Sequence, residues 1–84
     1  MIAKLTHDEV VNRIMKFEGG NLTIQSYLEL FSYLIATGQA WTLQGMYGRT
    51  AKSLIDAGLL ERNGEITQKA QDEYWEQDIY LYDE

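Results

Sequence analysis

The sequence predicts a mainly α fold: a compact bundle of four or five short helices, with at most a small winged-helix-like β-ribbon near Asn63-Gly64. Three observations predict it. Apolar residues recur at helical spacing through residues 10–17, 24–35 and 47–55. Threonines and glycines stand where those runs start and stop. The one hairpin signal, Asn63-Gly64, has very short apolar arms on either side. A chain of 84 residues can enclose one small core and no separate cofactor lobe. Residues 1–84 are therefore read as one domain, with 77–84 an acidic, aromatic tail.

The first helix is expected over residues 7–18. Thr6 can cap it, Glu9 stands where a capping box needs it, and Leu5 can staple to Val10. Gly19-Gly20 stops it. The second runs from a Thr23 cap to Gly38. Ile24, Tyr27, Leu28, Phe31, Leu34 and Ile35 form its apolar face, and Leu30 and Tyr33 widen that face enough for packing on two sides. Between Gly38 and Gly58 the pattern is interrupted by Gly45 and Gly48, each costing about 1 kcal/mol against alanine in a helix interior. This predicts a short helix over 39–44, a corner at Gly45-Met46-Tyr47-Gly48, and a longer helix over 48–57 with Tyr47, Ala51, Leu54 and Ile55 turned inward. A ribbon or irregular turn follows, anchored by Leu59, Leu60 and Ile66. A last helix, capped by Thr67, turns Ala70 and Tyr74 inward, with Trp75 a further candidate for that face, and Lys69, Asp72, Glu73 and Glu76 to water.

The corner has two readings. In the architectural one, Trp41 and Tyr47 fill the core, Gly48 is required for close approach, and Trp41→Ala largely unfolds the domain. In the recognition one, Gln44, Tyr47 and Arg49 share an exposed face and contact a partner, because tyrosine and arginine are favoured at binding hot spots. The tail also has two readings. In one, Tyr74 packs the helix end on the core and a frayed, solvated acidic end follows. In the other, Trp75, Tyr80 and Tyr82 are further candidate partner contacts, steered by the carboxylates around them toward a basic surface. The alternation Asp78-Ile79-Tyr80-Leu81-Tyr82 also suits strand-like pairing of the tail with itself, and hence a homo-oligomer.

The net charge of -6 is unevenly placed. Asp72, Glu73, Glu76, Asp78, Asp83 and Glu84 include no base, so residues 1–71 carry the other seven acids and all seven bases. A neutral body with an acidic tail lacks the cations that supply most non-specific affinity for nucleic acid. The chain has no cysteine, which fits a reducing compartment, and no apolar run of the length that spans a bilayer. A cytoplasmic protein that binds neither membrane nor nucleic acid is expected.

Catalytic signals are absent from the sequence. His7 is the single histidine and lies in the first turn of a helix, where a solvated role outweighs that of a base or ligand. Carboxylates outside the tail are scattered rather than paired, and Gly45-Met46-Tyr47-Gly48 lacks the Gly-Lys-Ser/Thr run of a phosphate loop. The sequence therefore reads as a non-enzyme with no catalytic, cofactor-binding or metal-ligating residues.

The string Ala40-Trp41-Thr42-Leu43-Gln44-Gly45-Met46-Tyr47-Gly48-Arg49-Thr50-Ala51, followed by Leu54-Ile55-Asp56-Ala57-Gly58-Leu59, resembles a family of small tailed-bacteriophage proteins of unknown function. Phe17-Glu18-Gly19 and Leu34-Ile35-Ala36-Thr37-Gly38 are similar to two further blocks of that family, so the resemblance covers residues 14–60. Met46 departs from it, standing where that family often has histidine. The resemblance implies an infected bacterial cell as the setting, and no activity. Leu54 to Leu60, a turn, and Ile66-Thr67-Gln68-Lys69-Ala70 are also similar to the recognition helix and wing of winged helix-turn-helix proteins.

Together these readings suggest a non-enzymatic phage accessory protein that acts by binding a host bacterial protein, with inhibition of that protein as one outcome, as part of host takeover. The partner would be a host or phage protein. The alternative is a winged helix-turn-helix regulator that binds DNA, although Arg49 and Lys52 are the only bases on its recognition helix.

Overall fold

The computed structural model describes residues 1–74. The tail candidates Trp75, Tyr80 and Tyr82, and the expected behaviour of residues 77–84, lie outside them. Helix α1 spans His7–Glu18, α2 spans Ile24–Thr37, a single 3₁₀ turn covers Gln39–Trp41, α3 spans Gly45–Asp56 and α4 spans Gln68–Tyr74. The fold is mainly α, and no strand forms among the described residues, where Leu60 and Ile66 make an isolated antiparallel bridge.

Local chemistry fixes each boundary. Thr6 Oγ1 accepts from the Glu9 amide at 3.2 Å while the Thr6 amide donates to Glu9 Oε1 at 2.8 Å, completing the capping box of α1. The Thr6 amide first, and then the Thr6 hydroxyl, favour the charged carboxylate and hold the Glu9 carboxyl below its ordinary value. At the end of α1 the Asn21 amide donates to the Lys16 carbonyl at 2.9 Å, over a left-handed Gly20. Thr23 caps α2 through the Ser26 amide, and a left-handed Gly38 ends it.

Helix α2 is the centre of the core, burying Leu28, Leu30, Phe31, Ser32, Leu34 and Ile35. Its two sides are held differently. Toward α1 and α3, the rings of Phe17, Tyr27, Phe31 and Tyr47 lie 5.2 to 6.0 Å apart in stacked and edge-on pairs. Arg13 also pairs with Glu29 at 2.9 Å across α1 and α2. The other side carries a polar node. Ser32 Oγ donates to the Gly64 carbonyl at 2.6 Å and accepts from the Ala3 amide at 3.0 Å, fully out of water. One hydroxyl thus joins the N-terminal segment, α2 and the 61–66 turn, and it satisfies two backbone groups that burial would otherwise strand.

The Asn63-Gly64 signal becomes a tight turn rather than a ribbon. The Gly64 amide donates to the Glu61 carbonyl and the Glu61 amide to the Glu65 carbonyl, both at 2.8 Å, and the Thr67 amide donates to the Leu59 carbonyl at 3.1 Å on the far side of the Leu60–Ile66 bridge. The Ile66 amide itself turns away from Leu60 to the Met1 carbonyl at 2.7 Å. The N-terminal segment therefore lies along the outer edge of the turn's second arm. Thr67 Oγ1 donates to the Gly58 carbonyl at 2.7 Å and accepts from the Ala70 amide at 3.2 Å, so it fastens α4 to the end of α3 while capping it.

Helix α3 starts at Gly45, three residues before the expected start, so no corner separates Gly45 from Gly48. Both glycines fall in the opening turn, where glycine disturbs a helix least, and the bend lies earlier at Thr42–Gln44. The expected helix over 39–44 shortens to the 3₁₀ turn for the same reason: Gln44 already serves as the N-cap of α3.

Candidate functional site

Trp41, expected in the core, is instead 52% exposed. The cause is the left-handed Gly38, which leads directly into the 3₁₀ turn. Three residues per turn leave one inward position, and Ala40 takes it at 1% exposure, so the next side chain faces out. Leu43, at 39% exposure, follows on the same open segment. The requirement for Gly48 is corrected with it: a Cβ there would meet the Ala40 carbonyl oxygen at 3.5 Å and Trp41 Cε3 at 3.7 Å, which is ordinary contact.

Tyr47 is corrected in the opposite direction as a partner contact. It is 3% exposed, packed on Phe17 and Phe31, and its hydroxyl donates to Glu18 Oε2 at 2.7 Å. Burial first, then the bond to Glu18 and its charge, push the phenol up to about 12. The expected trio therefore divides: Gln44 and Arg49 are exposed, while Tyr47 ties α3 to the end of α1.

The open surface that the fold does build lies where Trp41 meets the second half of α3. Trp41, Lys52, Ile55, Asp56 and Arg62 line a depression of about 290 Å³. Another, of about 580 Å³, continues from Ile55 and Arg62 past Gly58, Leu60, Glu61 and Asn63 to Thr67. Ile55 and Arg62 belong to both, so the two form one groove along the end of α3 and the turn after it. Its floor is apolar. Lys52 pairs with Asp56 at 2.9 Å, both well exposed, whereas Arg62 has no ion pair among the described residues. Of these residues, sequence pattern singles out Trp41 for the wrong side of the molecule and does not group Ile55, Lys52 and Arg62 with it. No spacing rule joins a 3₁₀ turn to a residue beyond the next helix.

His7 is exposed at the start of α1, as its position suggests, and no group of His, Cys, Asp or Glu among the described residues is placed to hold a metal ion. No helix of the described residues is long and apolar enough to cross a membrane. Residues 5–78 match the family described as Domain of unknown function (DUF7417). The chain belongs to that family. No curated protein and no solved structure matches the chain. The DUF7417 match takes in the capped helices, the groove and Tyr74 to Asp78, and stops short of Tyr80 and Tyr82.

Proposed function

We propose that this DUF7417 domain is a non-enzymatic protein-binding module whose docking surface is the groove headed by Trp41. The observation that carries the reading is the half-exposed tryptophan beside an exposed leucine on a short, well-defined turn, where every other aromatic side chain among the described residues is at least partly buried. Tryptophan and arginine are among the residue types most enriched at binding hot spots, and a rigid aromatic on a short turn loses little entropy on docking. The setting suggested by the resemblance of the Trp41–Arg49 string is a phage-infected bacterial cell, with the module acting on a host or phage protein, in the manner of an inhibitor. A winged-helix DNA reader is less favoured: Arg49, Lys52 and Arg62 on α3 and its turn are matched by Asp56, Glu61 and Glu65, leaving no net charge for phosphate.

The test is photo-crosslinking in a bacterial lysate, with benzoyl-phenylalanine replacing Trp41 in one variant and the exposed Met15 on α1 in another. The reading expects a discrete adduct from position 41 and none from position 15. Equal labelling from both positions, or none from either, contradicts it. A salt-sensitive shift of duplex DNA that Arg49→Ala with Lys52→Ala abolishes would support the regulator instead.

A further inference from the structure

The groove also has a charge pattern that specifies what it takes, an inference that rests on the docking reading above. The groove as a whole is neutral, with Lys52 and Arg62 against Asp56 and Glu61, so what distinguishes it is which of these charges are paired. Lys52 already has its counter-charge in Asp56 at 2.9 Å. Arg62 has none among the described residues, and it stands where the two depressions meet, beside the apolar side chain of Ile55. Its guanidinium presents a planar fork of donors suited to a carboxylate, and the adjacent floor suits an apolar side chain.

We propose that the groove binds an extended segment of a partner protein that carries one carboxylate, in which an apolar or aromatic residue seats between Trp41 and Ile55 and the neighbouring carboxylate pairs with Arg62. The carboxylate sets register and selectivity, and the apolar residue supplies most of the contact. A basic segment is disfavoured by Arg62 itself, and an uncharged one leaves the guanidinium without its pair.

The experiment measures binding of three fluorescent synthetic peptides to the full chain: one bearing a leucine–tryptophan pair followed by aspartate, one with asparagine in place of the aspartate, and one with lysine there. The aspartate peptide is expected to bind most tightly and to weaken as salt rises. Arg62→Glu should weaken the aspartate peptide by about tenfold or more and strengthen the lysine peptide, a charge swap that a fold defect does not produce. Aspartate and asparagine peptides that bind alike, or an Arg62→Glu variant that leaves the ranking unchanged, overturn the acidic chemistry and leave the docking surface standing. Failure of all three peptides while position 41 still crosslinks a partner does the same. Crosslinks from position 41 that join only copies of this chain, or only its own residues 75–84, assign the groove to the protein itself and overturn the partner reading as well.

Discussion

The Trp41–Gly48 block and the Leu60–Ile66 turn reverse the roles that their residue types suggest. The block, with its tryptophan, tyrosine and paired glycines, has the composition of a structural corner, yet its tryptophan lies open to water and a Cβ at Gly48 would find ordinary contacts. The turn has the composition of an exposed hairpin tip. Its glycine is nevertheless buried against the backbone of α2, where Ser32 bonds its carbonyl. What decides the outcome is the approach of backbone to backbone. Gly64 lies so close to α2 that a Cβ would stand 2.5 Å from the Ser32 carbonyl oxygen and 2.9 Å from the Ala36 amide, with φ at +95. A turn becomes a keystone when nothing but hydrogen fits between it and a helix.

The largest effect should therefore come from the plainer region. Gly64→Ala combines a forced backbone shift with an unfavourable φ and should cost about 3 to 5 kcal/mol, most of the stability of so small a domain. Chemical denaturation checks it, and a melting point close to the parent's would show that the turn floats free of α2. Tyr47→Ala ranks next at about 3 to 4 kcal/mol, because it empties the aromatic cluster, whereas Tyr47→Phe should lose only about 1 kcal/mol for the bond to the exposed Glu18.

Titration sharpens the same contrast between the two regions. The folded Tyr47 phenol is pushed up to about 12 from an ordinary 10.0, so folding favours its protonated form. The stability it contributes is whole below pH 10.0 and is lost as pH rises through about 12. Ultraviolet difference spectra should show a late-ionising tyrosine component that is lost in Tyr47→Phe. Its absence from the parent spectrum would place the hydroxyl in water.

Gly48→Ala carries the smallest effect and the opposite sign, a gain of up to about 1 kcal/mol from helix propensity in the opening turn of α3. A loss of that size or more would mean that the close pass of Ala40 and Trp41 is tighter than ordinary contact.

Much of the fold is legible in the sequence. Thr6, Thr23 and Gly38 set boundaries through bonds to their own neighbours, and such local chemistry can be read along the chain. The periodic face of α2 likewise announces a helix packed on two sides. Ser32 cannot be found that way. Its partners, Ala3 and Gly64, stand far off in the chain, and a serine among apolar residues on a helix carries no sign of them. The site is half legible. Arg49 and Gln44 lie at the surface and Tyr47 lies in the core, as its place on the inward face suggests, while Trp41 leaves the core because the bend falls at Thr42–Gln44 and not at the two glycines. Aromatic residues near a bend are buried or exposed according to its position, which a one-residue change in register reverses.

The central claim, that Trp41 serves the surface rather than the core, is tested most directly by Trp41→Ala, with melting point and partner capture measured on the same preparation. The account predicts a folded protein within about 1 kcal/mol of the parent that no longer retains the partner crosslinked at position 41. A variant that is largely unfolded, or one that is folded and retains the partner undiminished, would contradict it.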